Sequence, residues 1–273
     1  CYGELARRLT TDRPVIGLTD PQLVGAKAPV APEALVERHL RAIRCRQPRG
    51  PYALGGWSMG GILAHEIAGR LHDAGERVEL LVLLDSNLPD HIHTFPEEAE
   101  QTRDTEPVLR YLSSLEAFLD LDLGLDTAPD FAALPPAERI PEATRRLRAA
   151  GLLGVRDTAA ERIEVFTRHL RLLGSHTAHP LKDAGTDTLI VRAARRSPRN
   201  SGTGMGVDDV PGGADLGWTP FLSTPPSCVD VDAHHYALLR EPALGHIVAL
   251  VDRALRDLPT AVEPGAAGGR TKD

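Results

Sequence analysis

The sequence contains few cysteines, few aromatic residues, no excess of positive charge and no long hydrophobic run. Three cysteines in 273 residues, far apart in the chain, cannot form the disulfide framework of a secreted domain and favour a reducing, cytoplasmic compartment. Two Trp, four Tyr and five Phe with a net charge of -7 argue against nucleic-acid binding, which needs basic surfaces and stacking side chains. No run approaches the roughly 18 apolar residues of a membrane span, and no signal peptide opens the chain. We therefore expect a protein that binds neither nucleic acid nor membrane.

The remaining composition is that of one large folded domain. Hydrophobic residues make up 42% of the chain and charged residues 25%, and the length is sufficient to bury a sizeable core. We predict a single domain at 1–258 and, because residues 259–273 are rich in Gly, Ala and Pro, a flexible tail after it. The chain begins with an amphipathic stretch at 2–9 and no initiator Met, so we expect it to be a piece of a longer protein.

Apolar runs alternate with helical patterns in most of the chain, which predicts a mostly parallel sheet flanked by helices. Strands are predicted at 52–57, 78–84, 188–192 and 228–231, and helices at about 32–47, 62–75 and 244–255. Between about 89 and 180 the pattern is helical without a convincing strand, so we expect a helical lid inserted between two strands. The helices of this insertion are predicted at 108–118, 141–153 and 159–173.

Residues 56–60 read Gly-Trp-Ser-Met-Gly and match the G-x-S-x-G pattern of a nucleophile elbow. A predicted strand precedes the motif and an amphipathic helix follows it, which is the setting that an elbow requires. The sharp turn exposes the hydroxyl of Ser58 at the helix N-terminus, while Gly56 and Gly60 allow neighbouring backbone to approach closely. The backbone N–H of Met59 is the expected oxyanion donor. The pattern thus predicts that Ser58 is a nucleophile.

A serine nucleophile needs a base and an orienting carboxylate, and on this kind of sheet the acid precedes the histidine in the chain. Asp85 directly follows the predicted strand 78–84, at the edge where parallel sheets place functional groups. The sequence Asp-Ser-Asn is also a good helix or turn cap. Asp208 and Asp209, in the long loop after the strand that ends near 192, are the rival acids.

Among the eleven histidines, the adjacent pair His234 and His235 is best placed to supply the base. The pair follows a predicted short strand and precedes apolar residues that can anchor the loop. His65 and His246 lie on predicted helices and are assigned to packing or to the surface. Two other pairs could suggest a metal but lack strand context and an obvious third ligand, so no metal site is predicted. These pairs are His91 with His93 and His176 with His179.

Three segments of the sequence resemble the thioesterase domains that end nonribosomal peptide synthetases. They are residues 50–71, which include the elbow, residues 78–86, which end in Leu-Asp-Ser, and residues 233–239, Ala-His-His-Tyr-Ala-Leu-Leu. The resemblance implies the α/β-hydrolase fold. It implies Asp85 as the acid, because the family's acid lies in an L-D-S context. It also implies His235 as the base, with His234 where the family's G-D-H pattern has Asp.

The resemblance further implies a substrate and a partner. The substrate would be an acyl, peptide or polyketide-peptide chain held as a thioester on the phosphopantetheine arm of a neighbouring carrier domain. Ser58 would form an acyl-serine intermediate, which water or an internal nucleophile of the chain would release. No metal or redox cofactor is implied, and the setting would be antibiotic biosynthesis in the cytoplasm. The alternatives are a stand-alone editing thioesterase, a general serine esterase, and a non-catalytic binding module on the same scaffold.

The resemblance also bears on the abrupt start of the chain. In the family, an upstream strand and an H-P-x-G-G-like loop supply the second oxyanion donor. Neither is in this sequence, so we expect a truncation just before Cys1 and an impaired active site in the fragment.

Overall fold

The structure is a computed structural model that describes most of the chain. The described residues are 2–20, 32–88, 106–125, 131, 133–175, 178–181, 185–195 and 213–258. The predicted tail at 259–273 lies outside them. The rival acids and three of the histidines considered as metal ligands also lie outside the described residues, namely Asp208, Asp209, His91, His93 and His176.

In the described part of the chain, four strands form one parallel sheet with its strands in chain order. They are β1 (Tyr52–Trp57), β2 (Val78–Leu84), β3 (Asp187–Ala193) and β4 (Ser227–Val231). All seven residues of β2 are buried, because it lies inside the sheet and is covered on both faces. This is why its sequence is hydrophobic at every position except Glu79, whose buried carboxylate pairs with Arg13. The predicted parallel sheet is confirmed.

Helices cover both faces of the sheet. The described helices are α1 (Gly3–Arg8), α2 (Pro32–Arg46), α3 (Met59–Asp73), α4 (Glu106–Leu119), α5 (Pro136–Ala149), α6 (Ala159–Ser175) and α7 (Ala243–Asp257). On one face, α2 and α3 pack with Leu81 and Leu83 of β2, and on the other face α1 and α7 pack with Leu80 and Val82. Alternate residues of β2 thus reach opposite cores, as the strand geometry requires. None of these helices is long and apolar enough to cross a membrane.

Helices α4, α5 and α6, which we call the helical layer, pack around a core of their own. The buried apolar residues of this core include Val108, Leu112, Phe131, Ala143, Leu147 and Ile163. Between β2 and β3, the described part of the chain is helical and contains no strand. The role of the helical layer as a lid stays a prediction.

The start of α5 differs from the sequence-based expectation. The helix begins at Pro136 and not near residue 141, so that Pro141 lies inside it. Pro136 already occupies the first turn, where proline's missing N–H is not needed. Pro141, the sixth residue, removes only one helical hydrogen bond, which the buried face of the helix outweighs by packing Ala143 and Leu147 into the layer's core.

Helix α1 is tied to its neighbours at both of its ends. Its apolar residues Tyr2, Leu5 and Leu9 pack against the core that contains α7. Immediately after the helix, the backbone N–H and hydroxyl of Thr10 donate to the buried carboxylate of Asp252 on α7, at 2.9 and 2.8 Å. These contacts hold Tyr2 against the end of β1.

Candidate active site

The G-x-S-x-G motif forms a sharp turn between β1 and α3. Ser58 has φ 55° and ψ -125°, a backbone conformation that is rare for a residue with a side chain. The backbone N–H of Ser58 donates to the carbonyl of Leu84 at 2.9 Å, and the N–H of Gly61 donates to the carbonyl of Ser58 at 3.0 Å. These bonds hold the strained residue on both sides and tie it to the end of β2.

Close approach of neighbouring atoms leaves the glycines of the turn no room for a side chain. A Cβ on Gly56 would lie 2.0 Å from the carbonyl carbon of Gly60, and one on Gly61 would lie 2.1 Å from the hydroxyl oxygen of Ser86. A Cβ on Gly60 would lie 2.6 Å from the hydroxyl oxygen of Tyr2. The elbow is therefore packed against the segment after β2 on one side and against the residue before α1 on the other.

Asp85 and His235 meet at the carboxyl edge of the sheet. Asp85 directly follows β2, and its Oδ2 lies 2.7 Å from Nδ1 of His235, which is 150 residues later in the chain. The second carboxylate oxygen accepts a hydrogen bond from the backbone N–H of Ala193, at the end of β3, at 3.0 Å. Both side chains are buried, with 6% and 5% exposure for Asp85 and His235.

This pairing determines which nitrogen of the imidazole is available. A carboxylate can only accept, so the short contact places a proton on Nδ1 of His235 and leaves Nε2 to exchange protons with another group. His234, the other member of the predicted pair, precedes the short 3-10 helix His235–Ala237 and is only half buried. The structure thus pairs His235, and not His234, with Asp85.

Met59 is the first residue of α3. The N–H of that position has no acceptor within a helix, and the helix dipole adds partial positive charge there. A backbone donor at this point can stabilise an anion formed beside Ser58. The part of Met59 as an oxyanion donor stays a prediction.

Two residues next to the elbow were not singled out from the sequence. The backbone N–H of Trp57 donates to the hydroxyl of Tyr2 at 2.8 Å, and the indole N–H of Trp57 donates to the main-chain oxygen of His235 at 3.2 Å. Burial raises the pKa of Tyr2 further above its ordinary value, and the phenol is protonated at neutral pH. The one available sequence signal was an aromatic residue beside the predicted nucleophile.

Helix α4 of the helical layer reaches this site. The ring of Phe118 stacks on that of Trp57, with centroids 5.7 Å apart. The hydroxyl of Ser114 lies 3.0 Å from that of Tyr236, the residue after His235. The helical layer is therefore in direct contact with the elbow and with residues 232–242 between β4 and α7, which we call the histidine loop.

Three other histidines singled out from the sequence lie within the described residues. His65 is buried on α3, where its Nε2 lies 3.2 Å from the carbonyl of Phe221 and its ring packs on Trp218. His246 and His179 are exposed. Among the residues with described positions, no three potential metal ligands come together.

The sequence profile of the family described as "Thioesterase domain" matches residues 1–173. This chain belongs to the thioesterase domain family. The resemblance inferred from the three sequence segments is thereby confirmed.

Individual relatives agree with this family membership. Along 91% of its length, the chain is 24% identical to the non-reducing polyketide synthase terA of Aspergillus terreus, and it covers 11% of that protein. It is 25% identical to the dimodular nonribosomal peptide synthase of Bacillus subtilis, over 94% of this chain and 10% of the relative. The thioesterase chain thus spans about a tenth of the length of these curated relatives.

A solved structure agrees on the fold. A four-domain nonribosomal peptide synthetase superimposes with a TM-score of 0.76 at 23% sequence identity, covering 95% of this chain and 18% of the synthetase. Together with the parallel sheet and its covering helices, this similarity confirms the predicted α/β-hydrolase fold.

Proposed function

We propose that this thioesterase domain is a serine enzyme that releases an acyl or peptidyl chain from the phosphopantetheine thioester of a carrier domain. The observation that carries the proposal is the 2.7 Å contact between Asp85 and His235 at the sheet edge where the strained Ser58 lies. An ordered carboxylate–imidazole pair beside an elbow serine is the arrangement needed for nucleophilic acyl transfer. The membership in the thioesterase family supports the same chemistry.

In the first half of the reaction, Nε2 of His235 accepts the proton of Ser58 as the serine oxygen attacks the thioester carbonyl carbon. Asp85 holds the imidazole through Nδ1 and stabilises the imidazolium. The backbone N–H of Met59 donates to the oxyanion. When the tetrahedral intermediate collapses, the carbon–sulfur bond breaks and the imidazolium proton passes to the leaving thiolate, which leaves an acyl ester on Ser58.

In the second half, a nucleophile from water or from the bound chain attacks this ester. It loses its proton to His235, the bond between the carbonyl carbon and the serine oxygen breaks, and Ser58 regains the proton. Water gives a linear acid, whereas an internal amine or hydroxyl gives a macrocycle. The helical layer, acting as a lid, would favour one outcome by admitting or excluding water. No metal or redox cofactor takes part in these steps.

The relatives support a carrier domain as the partner. They are polyketide and nonribosomal peptide synthases of which this chain matches only about a tenth, so the rest of each relative comprises other parts of a larger enzyme. A release domain in such an enzyme receives its substrate as a carrier-bound thioester. We propose the same for this chain.

The experiment that tests the function is active-site labelling with a fluorophosphonate, followed by mass spectrometry. We expect a single adduct on Ser58, and none in Ser58→Ala. In a parallel assay, hydrolysis of carrier-bound acyl thioesters is compared with that of p-nitrophenyl esters. The labelling and the assay are run on this chain and on a chain extended at its N-terminus. If the extended protein is unlabelled and inert, it is a non-catalytic module, and if it cleaves only the simple esters, it is a general esterase; either result would refute the proposal.

A further inference from the structure

The side chain of Trp57 contacts the proposed base at two points. Its indole N–H donates to the main-chain oxygen of His235 at 3.2 Å. Its ring lies 4.9 Å from the imidazole, centroid to centroid, with 32° between the ring planes. Asp85 restrains the imidazole only at Nδ1. Rotation of the ring about the hydrogen bond between Nδ1 and the carboxylate of Asp85 would still move Nε2. The indole blocks this rotation from the side and fixes the backbone of the same residue.

Trp57 is itself held from two directions. Its backbone N–H donates to the hydroxyl of Tyr2 at 2.8 Å, which links it to α1. The indole also stacks on Phe118 of α4, with 5.7 Å between centroids and 24° between planes. The ring therefore lies between the base and the helical layer.

Helix α4 also binds the histidine loop directly. Besides the contact of Ser114 with Tyr236 at 3.0 Å, the guanidinium of Arg240 donates to the carbonyl of Phe118 at 3.0 Å. The 3-10 helix His235–Ala237 and the residues that follow it are thus attached to one turn of α4. A displacement of α4 would pull on both the indole and the loop.

We propose that Trp57 is a positioning residue that holds His235 in its reactive orientation, and that α4 sets this position through Phe118 and Ser114. The inference rests on the proposed function of Ser58, Asp85 and His235. It makes the helical layer part of the machinery that orders the base, in addition to any effect of that layer on water access.

The first test is Trp57→Phe, which keeps a ring but removes the N–H donor to His235. We expect kcat for a small acyl thioester to fall about 2- to 12-fold, the effect of one neutral hydrogen bond, with KM unchanged because the lost contact acts on the chemical step. The rate of Ser58 labelling by a fluorophosphonate should fall by a similar factor. A wild-type kcat in this variant would overturn the proposal.

The second test compares two phenylalanines of the helical layer. Phe118→Leu removes the stack on Trp57, whereas Phe166→Leu removes a pair with Tyr111 inside the layer, with centroids 5.5 Å apart. We expect only Phe118→Leu to lower kcat. We also expect only this variant to shift the fluorescence of Trp57; the second tryptophan, Trp218, is fully buried. Equal losses in both variants would mean that the layer acts only through its stability, and would overturn the proposal.

The third test uses two smaller changes, which disturb the fold less. Ser114→Ala and Tyr236→Phe each remove one end of the same hydroxyl contact, so each should reduce kcat, and the double variant should lose less than the sum of the two single losses. Additive losses would contradict a shared role. The proposed function fails separately: if Ser58 of the wild-type protein is not labelled, the enzyme assignment is lost, whereas labelling of Trp57→Phe at the wild-type rate removes only the positioning role.

Discussion

In the sheet, every residue of β2 is buried and helices cover both faces, whereas the helical layer packs around a smaller core of its own. Its helices expose one face and carry local ion pairs, such as Glu142 with Arg145 and Arg146 on α5. Helix α4 of this layer contacts the histidine loop through Ser114 and Phe118. The difference teaches that the residues proposed to react lie at the edge of the fully buried sheet, while the surface proposed to position the base belongs to the layer with the smaller core.

This division predicts the largest effect for a change at the sheet edge. Asp85→Asn keeps the shape of the side chain but no longer favours a proton on Nδ1 of His235. We expect kcat to fall about 10⁴-fold, because the imidazole adopts the wrong tautomer. Steady-state turnover of an acyl thioester measures this loss.

The controls are Asp208→Asn and Asp209→Asn, the acids that the sequence left as rivals. Neither should reduce turnover. If one of them abolishes activity and Asp85→Asn does not, the acid has been misassigned and the protein is closer to the editing type of thioesterase.

Glycine substitutions should separate the two regions in stability. Gly56→Ala places a Cβ 2.0 Å from backbone that cannot move without opening the elbow, so we expect a loss of at least about 3 kcal/mol and little folded protein. Gly151→Ala, after α5, meets open space and is disfavoured only by its φ of +71°, at about 1–2 kcal/mol. Urea denaturation would measure both, and similar losses would refute the steric argument for the elbow.

Two buried leucines test whether the regions unfold together. Leu83 of β2 and Leu147 of α5 are both fully buried, and truncation to alanine should cost about 2–5 kcal/mol in each case. We expect Leu83→Ala to raise hydrogen exchange throughout the sheet. Leu147→Ala should raise hydrogen exchange mainly in the helical layer, and Ser58 should still be labelled by the fluorophosphonate. Uniform exchange in both variants would mean that layer and sheet form one cooperative unit.

The smallest effect is expected from the ion pairs of the helical layer. Arg145 and Arg146 lower the pKa of Glu142 to about 2 in the folded protein, whereas its pKa in the unfolded chain is near 4.5. The ionised carboxylate therefore stabilises the folded state fully at pH values above 4.5. That stability is lost as the pH falls from about 4.5 to about 2. Because Arg145 is largely exposed, we expect Glu142→Gln to cost only about 0.5–1 kcal/mol at pH 7.

Denaturation at pH 7 and at pH 3 checks this sign. The difference between Glu142→Gln and the wild type should shrink at the lower pH. Glu164→Gln, which removes a more exposed carboxylate that pairs with Arg168, should have little effect at either pH. A larger effect at pH 3 than at pH 7 would contradict the assignment.

Strands β1 and β2 were predicted from the sequence with the bounds that they have in the structure, because a continuous apolar run and a G-x-S-x-G turn are local signals. The start of α5 was predicted wrongly, since Pro141 looks like a helix start when Pro136 is not recognised as one. The proposed positioning role of Trp57 could not be predicted, because its contacts with His235 and Phe118 join residues far apart in the chain.

By itself, the sequence determined the elbow, the alternation of strands and helices, and the resemblance to thioesterases, since each depends on residues close together in the chain. The tertiary structure decided which of two histidines meets Asp85 and which aromatic residues surround the base. These outcomes depend on how β2, β3 and the loop after β4 align at one sheet edge. The 2.7 Å contact between Asp85 and His235, which are 150 residues apart, is fixed by packing and not by a local sequence pattern.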